Sequence, residues 1–173
     1  MTIIVTLFLA LSCAAAVPSE TDPATLAFKF YSSYQDIGPC GIPQPADLQK
    51  LEPLFTTRLR SLLHEARRYQ AAYAKRHPED KPPFIDGDLF TSNFEGFKTF
   101  SVGDVKQQAG GAYHVEVTLS YWDVNDPKAI VKWTDAIIVV REHGRLLIDD
   151  FEFLGTWPFA QKGRLSDLLR ERP

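Results

Sequence analysis

The chain has 173 residues, 45% of them hydrophobic, with 19 Lys and Arg against 22 Asp and Glu and a net charge of −3. That length fits one domain whose core needs no metal or disulfide staples. The acidic balance, without a long run of Lys or Arg, excludes the electrostatic footprint of a nucleic-acid binder or a polybasic membrane-surface protein.

Residues 3–16 read Ile-Ile-Val-Thr-Leu-Phe-Leu-Ala-Leu-Ser-Cys-Ala-Ala-Ala, and no charged side chain precedes Glu20. The run is shorter than the ~20 residues of a membrane-spanning helix. Ala14 and Ala16 supply the small side chains of a cleavage site before Val17. Residues 1–16 therefore read as a signal peptide, although no Lys or Arg stands ahead of the apolar run, and residues 17–173 read as the single domain. Ala10-Leu11-Ser12-Cys13 offers a second route, a partial lipoprotein box with Ala10 where Leu is usual. By that route Cys13 carries lipid and anchors the chain to the outer membrane; otherwise the product is periplasmic or secreted. Either route leaves Cys40 as the one ordinary thiol, so no intramolecular disulfide is expected. Cys40 lies in the turn Gly38-Pro39-Cys40-Gly41-Ile42-Pro43, either as a small packed side chain or as a redox thiol.

Asp22 before Pro23 is an N-cap with proline at the first helical position. Leu26, Ala27, Phe30, Tyr31 and Tyr34 then recur at helical spacing until Gly38-Pro39. Pro45-Ala46-Asp47 opens a short second helix through Leu48 and Leu51. Thr56 or Thr57 caps a third, with the apolar stripe Leu59, Leu62, Leu63, Ala66, Tyr69 and Tyr73. Arg58, Arg60, Arg67 and Arg68, with Glu65 among them, read as its solvated face.

Three prolines and five ionisable residues make 76–83 an extended connector. Beyond it the apolar period changes from helical to alternating. Turn signals at Ala109-Gly110-Gly111, Asn125-Asp126-Pro127 and Glu142-His143-Gly144 cut the chain into strands of about 97–107, 112–122, 129–141 and 145–153. Such short loops make a four-stranded antiparallel meander. Residues 164–172 form a short amphipathic helix. The predicted fold class is α+β: N-terminal helices packed on a curved four-stranded antiparallel sheet, cone-shaped, with any space left on the concave side forming a pocket.

In the third strand Trp133, Asp135, Ile137 and Val139 share one face. In the fourth, alternation sends adjacent Asp149 and Asp150 to opposite faces, so at least one carboxylate meets a packed layer. Such a group needs hydrogen bonds, an Arg partner or a proton. It is either a structural acceptor or a pocket base. His114 shares a polar strand face with Glu116, Thr118, Ser120 and Trp122, but the four histidines lack ligand spacing, so no metal site is expected. Asp86-Gly87-Asp88 begins like a calcium loop but continues with Leu89, Phe90 and Thr91. No nucleophile, phosphate-loop or dinucleotide motif occurs, so no catalytic residue and no cofactor is predicted. The candidate pocket or partner contacts are Tyr121, Trp122, Trp133, Asp135, Asp149, Asp150 and Trp157, with Cys13 as the possible lipid attachment site.

Three stretches carry a resemblance: 51–59 (Leu-Glu-Pro-Leu-Phe-Thr-Thr-Arg-Leu), 87–92 (Gly-Asp-Leu-Phe-Thr-Ser), and Trp133-Thr134-Asp135 leading into 145–150 (Arg-Leu-Leu-Ile-Asp-Asp) and Gly155. Over about 25–172 the chain resembles the bacterial envelope family called domain of unknown function 3828, with Leu146 where that family often has Trp. The resemblance implies a fold similar to nuclear transport factor 2 and an exported protein, many of that family being lipoproteins. It implies no activity, because the fold hosts enzymes, carriers and binding modules alike.

The sequence thus predicts a non-enzymatic periplasmic or outer-membrane-associated accessory protein that binds another envelope protein, without nucleic acid and with membrane contact only through a lipidated Cys13. Two alternatives stand beside it. One is a small-molecule binder or cone-pocket enzyme with Asp135 or Asp150 as base and Tyr121 or His114 as acid; the other is a periplasmic immunity or inhibitor protein.

Overall fold

Asp22 starts the helical half: its carboxylate accepts from the Ala24 and Thr25 amides at 3.1 and 3.2 Å, and Pro23 takes the first position of α1 (Pro23–Gln35). In the computed structural model, which describes residues 22–171, α2 (Pro45–Leu51) and a short 3-10 turn (Glu52–Leu54) lead into α3 (Thr57–Arg76). The signal peptide of residues 1–16 and the possible lipid site at Cys13 lie outside the described residues. Among those described, no helix is long and apolar enough to cross a membrane.

The sheet follows in chain order, with every neighbouring pair antiparallel: β1 (Thr99–Gln107), β2 (Tyr113–Asp123), β3 (Asp126–Glu142), β4 (Arg145–Phe153) and β5 (Gly163–Arg164). The last is a two-residue strand leading into α4 (Leu165–Leu168), so the sheet has five strands and not the four expected. Residues 163 and 164 carry no alternating apolar pattern; pairing with Glu152 and Phe153 alone makes them a strand.

The helices cover one face. Leu26, Phe30, Leu51, Leu59 and Leu63 pack on Val115, Val117, Ile137, Ile148 and Phe151. Aromatic rings fill the space between the layers: Phe30 lies 4.8 Å from Phe151, 5.3 Å from Phe90, 5.6 Å from Tyr34 and 5.7 Å from Phe55, centroid to centroid. Phe90 comes from the segment that follows the proline connector. Residues 88–92 are buried, so this stretch is core rather than surface linker.

The strict alternation expected in β4 breaks at a bulge. Ile138 pairs with Asp150 but Val139 pairs with Ile148, leaving Asp149 as the extra residue. Ile148 and Phe151 therefore both face the core with two aspartates between them. Asp149 and Asp150 do not diverge: both reach Arg58, whose Nη2 lies 2.7 Å from Asp149 Oδ2 and 3.3 Å from Asp150 Oδ2. Arg58 is accordingly half-buried rather than solvated, and Arg67 likewise turns inward to donate to the Pro43 carbonyl. Tyr69 and Tyr73, placed in the apolar stripe of α3, are only half-buried because α3 runs past the edge of its packing partners.

Candidate functional site

Asp135 sits on β3 with 1% of its surface exposed. Four donors converge on it. The Ser92 amide and the Trp133 indole reach Oδ2 at 2.7 and 2.8 Å, and the Leu154 amide reaches Oδ1 at 2.9 Å. The Ser92 hydroxyl also donates to Oδ1. Ser92 Oγ in turn accepts from the Gly155 amide at 2.9 Å. Burial raises the Asp135 carboxyl, while these donors, Ser92 foremost, favour its charged form. A carboxylate so saturated has no lone pair facing a ligand; its work is to join β3 to two loops, 84–98 and 154–162.

The loops are stitched together further along. The Gln161 amide donates to the Ser92 carbonyl at 2.9 Å, and the Ala160 amide to the Trp157 carbonyl at 3.2 Å. Gly155 permits the closest approach: a Cβ there would fall 2.7 Å from both Ser92 Cβ and the Trp157 ring. Trp157 meets Trp133 edge to face with centroids 5.6 Å apart. On this frame the two loops hold apolar side chains outward. Phe94 is 59% exposed and Phe159 94%, with Ile85 and Leu154 also exposed.

Loop 84–98 has a second buried anchor, Asp88, 5% exposed. Its Oδ1 accepts from the Phe90 amide at 2.7 Å, and its own amide donates to the Phe94 carbonyl at 2.8 Å. Gly87 beside it takes φ +77°, and a Cβ there would fall 2.4 Å from the Phe94 ring. Asp88 Oδ2 and the facing Tyr34 hydroxyl are both buried without completing a hydrogen bond. Burial pushes the Asp88 carboxyl up to about 7 and holds the Tyr34 and Tyr31 phenols well above their usual range.

Compared with protein-family models, with curated proteins and with solved structures, the chain matches none.

Of the residues singled out in the sequence, the fold brings Trp133, Asp135 and Trp157 together under the two loops. Asp149 and Asp150 form a separate knot. Besides Arg58, Asp149 accepts from the Thr56 hydroxyl at 2.8 Å, and Asp150 accepts from the Ser166 amide at 3.0 Å, fixing the start of α4. Tyr121 and Trp122 stand apart near the free end of the β2–β3 hairpin, half-buried, with the Lys98 ammonium 5.7 Å from the Tyr121 ring centroid. Cys40 is a free, partly buried thiol whose pKa burial raises. Among the described residues, no group of three or more His, Cys, Asp and Glu could hold a metal ion.

On the opposite face of the sheet, His114 Nε2 lies 3.2 Å from Glu152 Oε2 in a groove of about 460 Å³ that Gln108, Ile138 and Arg164 also line. The cross-strand pairs His114↔Ile138 and Ala136↔Glu152 set this contact on one diagonal. Sequence reading missed Ser92, Asp88 and Arg58 as partners and Phe94 and Phe159 as surface. Only the interruption of an apolar pair by Asp88 and Thr91-Ser92 hinted that loop 84–98 goes inside.

Proposed function

We propose that this chain is a non-enzymatic accessory protein of the bacterial envelope, exported by its N-terminal segment, that binds another envelope protein through the aromatic face formed by loops 84–98 and 154–162. The observation that carries this reading is that Phe159 and Phe94, both largely exposed, stand on two loops fixed by one saturated buried carboxylate. Rigid aromatic side chains lose little entropy when a partner covers them, and they dominate interface energetics.

The resemblance to domain of unknown function 3828 supports the same assignment of compartment and a nuclear transport factor 2-like form of the α+β fold. The ring cluster around Phe30 fills the space between the helices and the sheet, which favours a surface site over a cone-pocket enzyme. An immunity or inhibitor role uses the same surface and differs only in the identity of the partner.

The experiment is in-cell crosslinking of the tagged protein, with mass spectrometry of its partners and of its own N terminus. The expected result is one stoichiometric envelope protein, captured at least tenfold less by Phe159→Ala at unchanged melting temperature. Equal capture by that variant removes the aromatic face from the proposal. The N-terminal mass separates a chain beginning at Val17 from one lipidated at Cys13.

A further inference from the structure

We propose that Asp88 is a proton-operated catch beneath the aromatic face: with its carboxyl neutral, loop 84–98 is held closed, and ionisation loosens the backbone that carries Phe94. The inference rests on the reading of that face as the binding surface and adds its regulation.

The geometry gives the charged carboxyl no cationic partner. Oδ1 is engaged by the Phe90 amide, but Oδ2 is buried with no hydrogen bond completed, and the Gly96 backbone closes over it so tightly that a Cβ there would fall 2.8 Å away. The titratable groups facing Asp88 are Tyr31 and Tyr34 from α1, Cys40 from the turn after it and Asp135 from β3. None is a cation. Asp135 adds like charge, and the Tyr34 hydroxyl is the one group placed to share a proton with Oδ2. The Tyr34 hydroxyl favours the charged form by donating to it, but burial and the like charge of Asp135 oppose this, so ionisation leaves a desolvated charge whose remedy is exposure to water.

Exposure cannot occur without moving the display. The Asp88 amide holds the Phe94 carbonyl at 2.8 Å, and the neighbouring Gly87 carbonyl accepts from the Gly41 amide at 2.7 Å. The Gly96 backbone closes over Oδ2, so turning the carboxyl out to water displaces the segment that these two bonds hold. Ser92, by contrast, stays anchored on Asp135 and still holds Gly155 and Gln161, so the loosening is confined to the Asp88–Phe94 contact, and loop 154–162 with Phe159 remains in place. The catch therefore acts on one half of the face, with its midpoint near neutrality.

The test uses the isolated protein and needs no partner. Carbon-13 carboxyl NMR of Asp-labelled protein follows the Asp88 titration, and amide hydrogen exchange of 84–98, corrected for intrinsic rates, is compared at pH 5.5 and pH 8. The expected outcome is an Asp88 midpoint far above the ordinary carboxylate range and at least tenfold less protection of the Asp88 and Phe90 amides at pH 8, with the Ser92 amide and 154–162 unchanged. Asp88→Asn should remove the pH dependence while keeping the acidic-pH protection. Tyr34→Phe should move the midpoint further up, a readout that remains if Asp88→Asn fails to fold. An ordinary Asp88 midpoint, equal protection at the two pH values, or pH dependence retained in Asp88→Asn overturns the proposal. Partner capture by Phe159→Ala addresses the surface independently of all three.

Discussion

Ser92 and Asp135, separated by 43 positions, are joined twice: the Ser92 amide and the Ser92 hydroxyl each donate to a different oxygen of the Asp135 carboxylate. Main chain and side chain of one loop residue are thus read by one carboxylate. The loop carrying Phe94 is fixed in both position and orientation relative to β3.

Removing that carboxylate leaves several buried donors orphaned, among them the Trp133 indole and the Leu154 amide. At about 1–3 kcal/mol for each unsatisfied buried group, Asp135→Ala should lose at least about 3 kcal/mol of stability, read by urea unfolding. Asp135→Asn, which keeps the shape and one acceptor oxygen, should lose less. Equal stability of wild type and Asp135→Ala would mean that the hub does not form.

The exposed rings should behave oppositely. Phe159→Ala alters a side chain that is almost wholly in water, so its unfolding free energy should stay within about 0.5 kcal/mol of wild type. Partner binding should fall by at least tenfold, measured by titration once the crosslinked partner is purified. A large drop in stability would place Phe159 in the core.

Arg58→Ala tests the second knot. It strips the cationic partner from Asp149 and from Asp150, the latter buried at 3% exposure. Because the guanidinium is partly exposed, the expected loss is about 1–3 kcal/mol rather than that of a fully buried pair. Arg58→Lys should recover only part of it, since one ammonium cannot reproduce the contacts that Arg58 Nε and Nη2 make to Asp149.

Asp88 sets the sign of a pH effect. Its carboxyl lies above its unfolded value of 3.8, at about 7 in the folded protein, so the folded state prefers the proton. That contribution is complete below pH 3.8 and is lost as the pH rises to about 7, remaining absent above it. The difference in melting temperature between wild type and Asp88→Asn should therefore shift against wild type from pH 4 to pH 8. A difference that is flat across the range would show that Asp88 ionises freely in the fold. Glu142, held below its usual range chiefly by the Thr57 hydroxyl, has the opposite sign: its contribution is lost as the pH falls through its folded pKa.

The helical half was legible because its signals are local. Asp22-Pro23 carries its own cap and its own start, and Leu26 to Tyr34 repeat at one spacing. The hairpins were legible for the same reason: Glu142-His143-Gly144 closes β3 on β4 with His143 and Gly144 at positive φ. The bulge at Asp149 was not, because one extra residue in β4 is defined only by what stands opposite it in β3. Arg58 looked like a solvated charge since α3 alone does not say which of its polar residues meets the sheet. Loop 84–98 escaped notice because its burial depends on Asp135, Gly41 and Tyr34, none near it in sequence. The candidate surface shared that fate: nothing in the order of residues joins the loop of Phe94 to the loop of Phe159.

The N-terminal end of α3 has a consequence for how the chain matures. Thr57 is capped by Glu142, 85 positions later, and Thr56 and Arg58 are held by Asp149, 93 and 91 positions later. As synthesis proceeds from the N terminus, the helical half leaves the ribosome with these bonds unmade, and it stays incomplete until the β3–β4 hairpin has followed. Such distant closure is slow. The N-terminal end of α3 therefore closes late in synthesis, only after both strands that hold it have emerged.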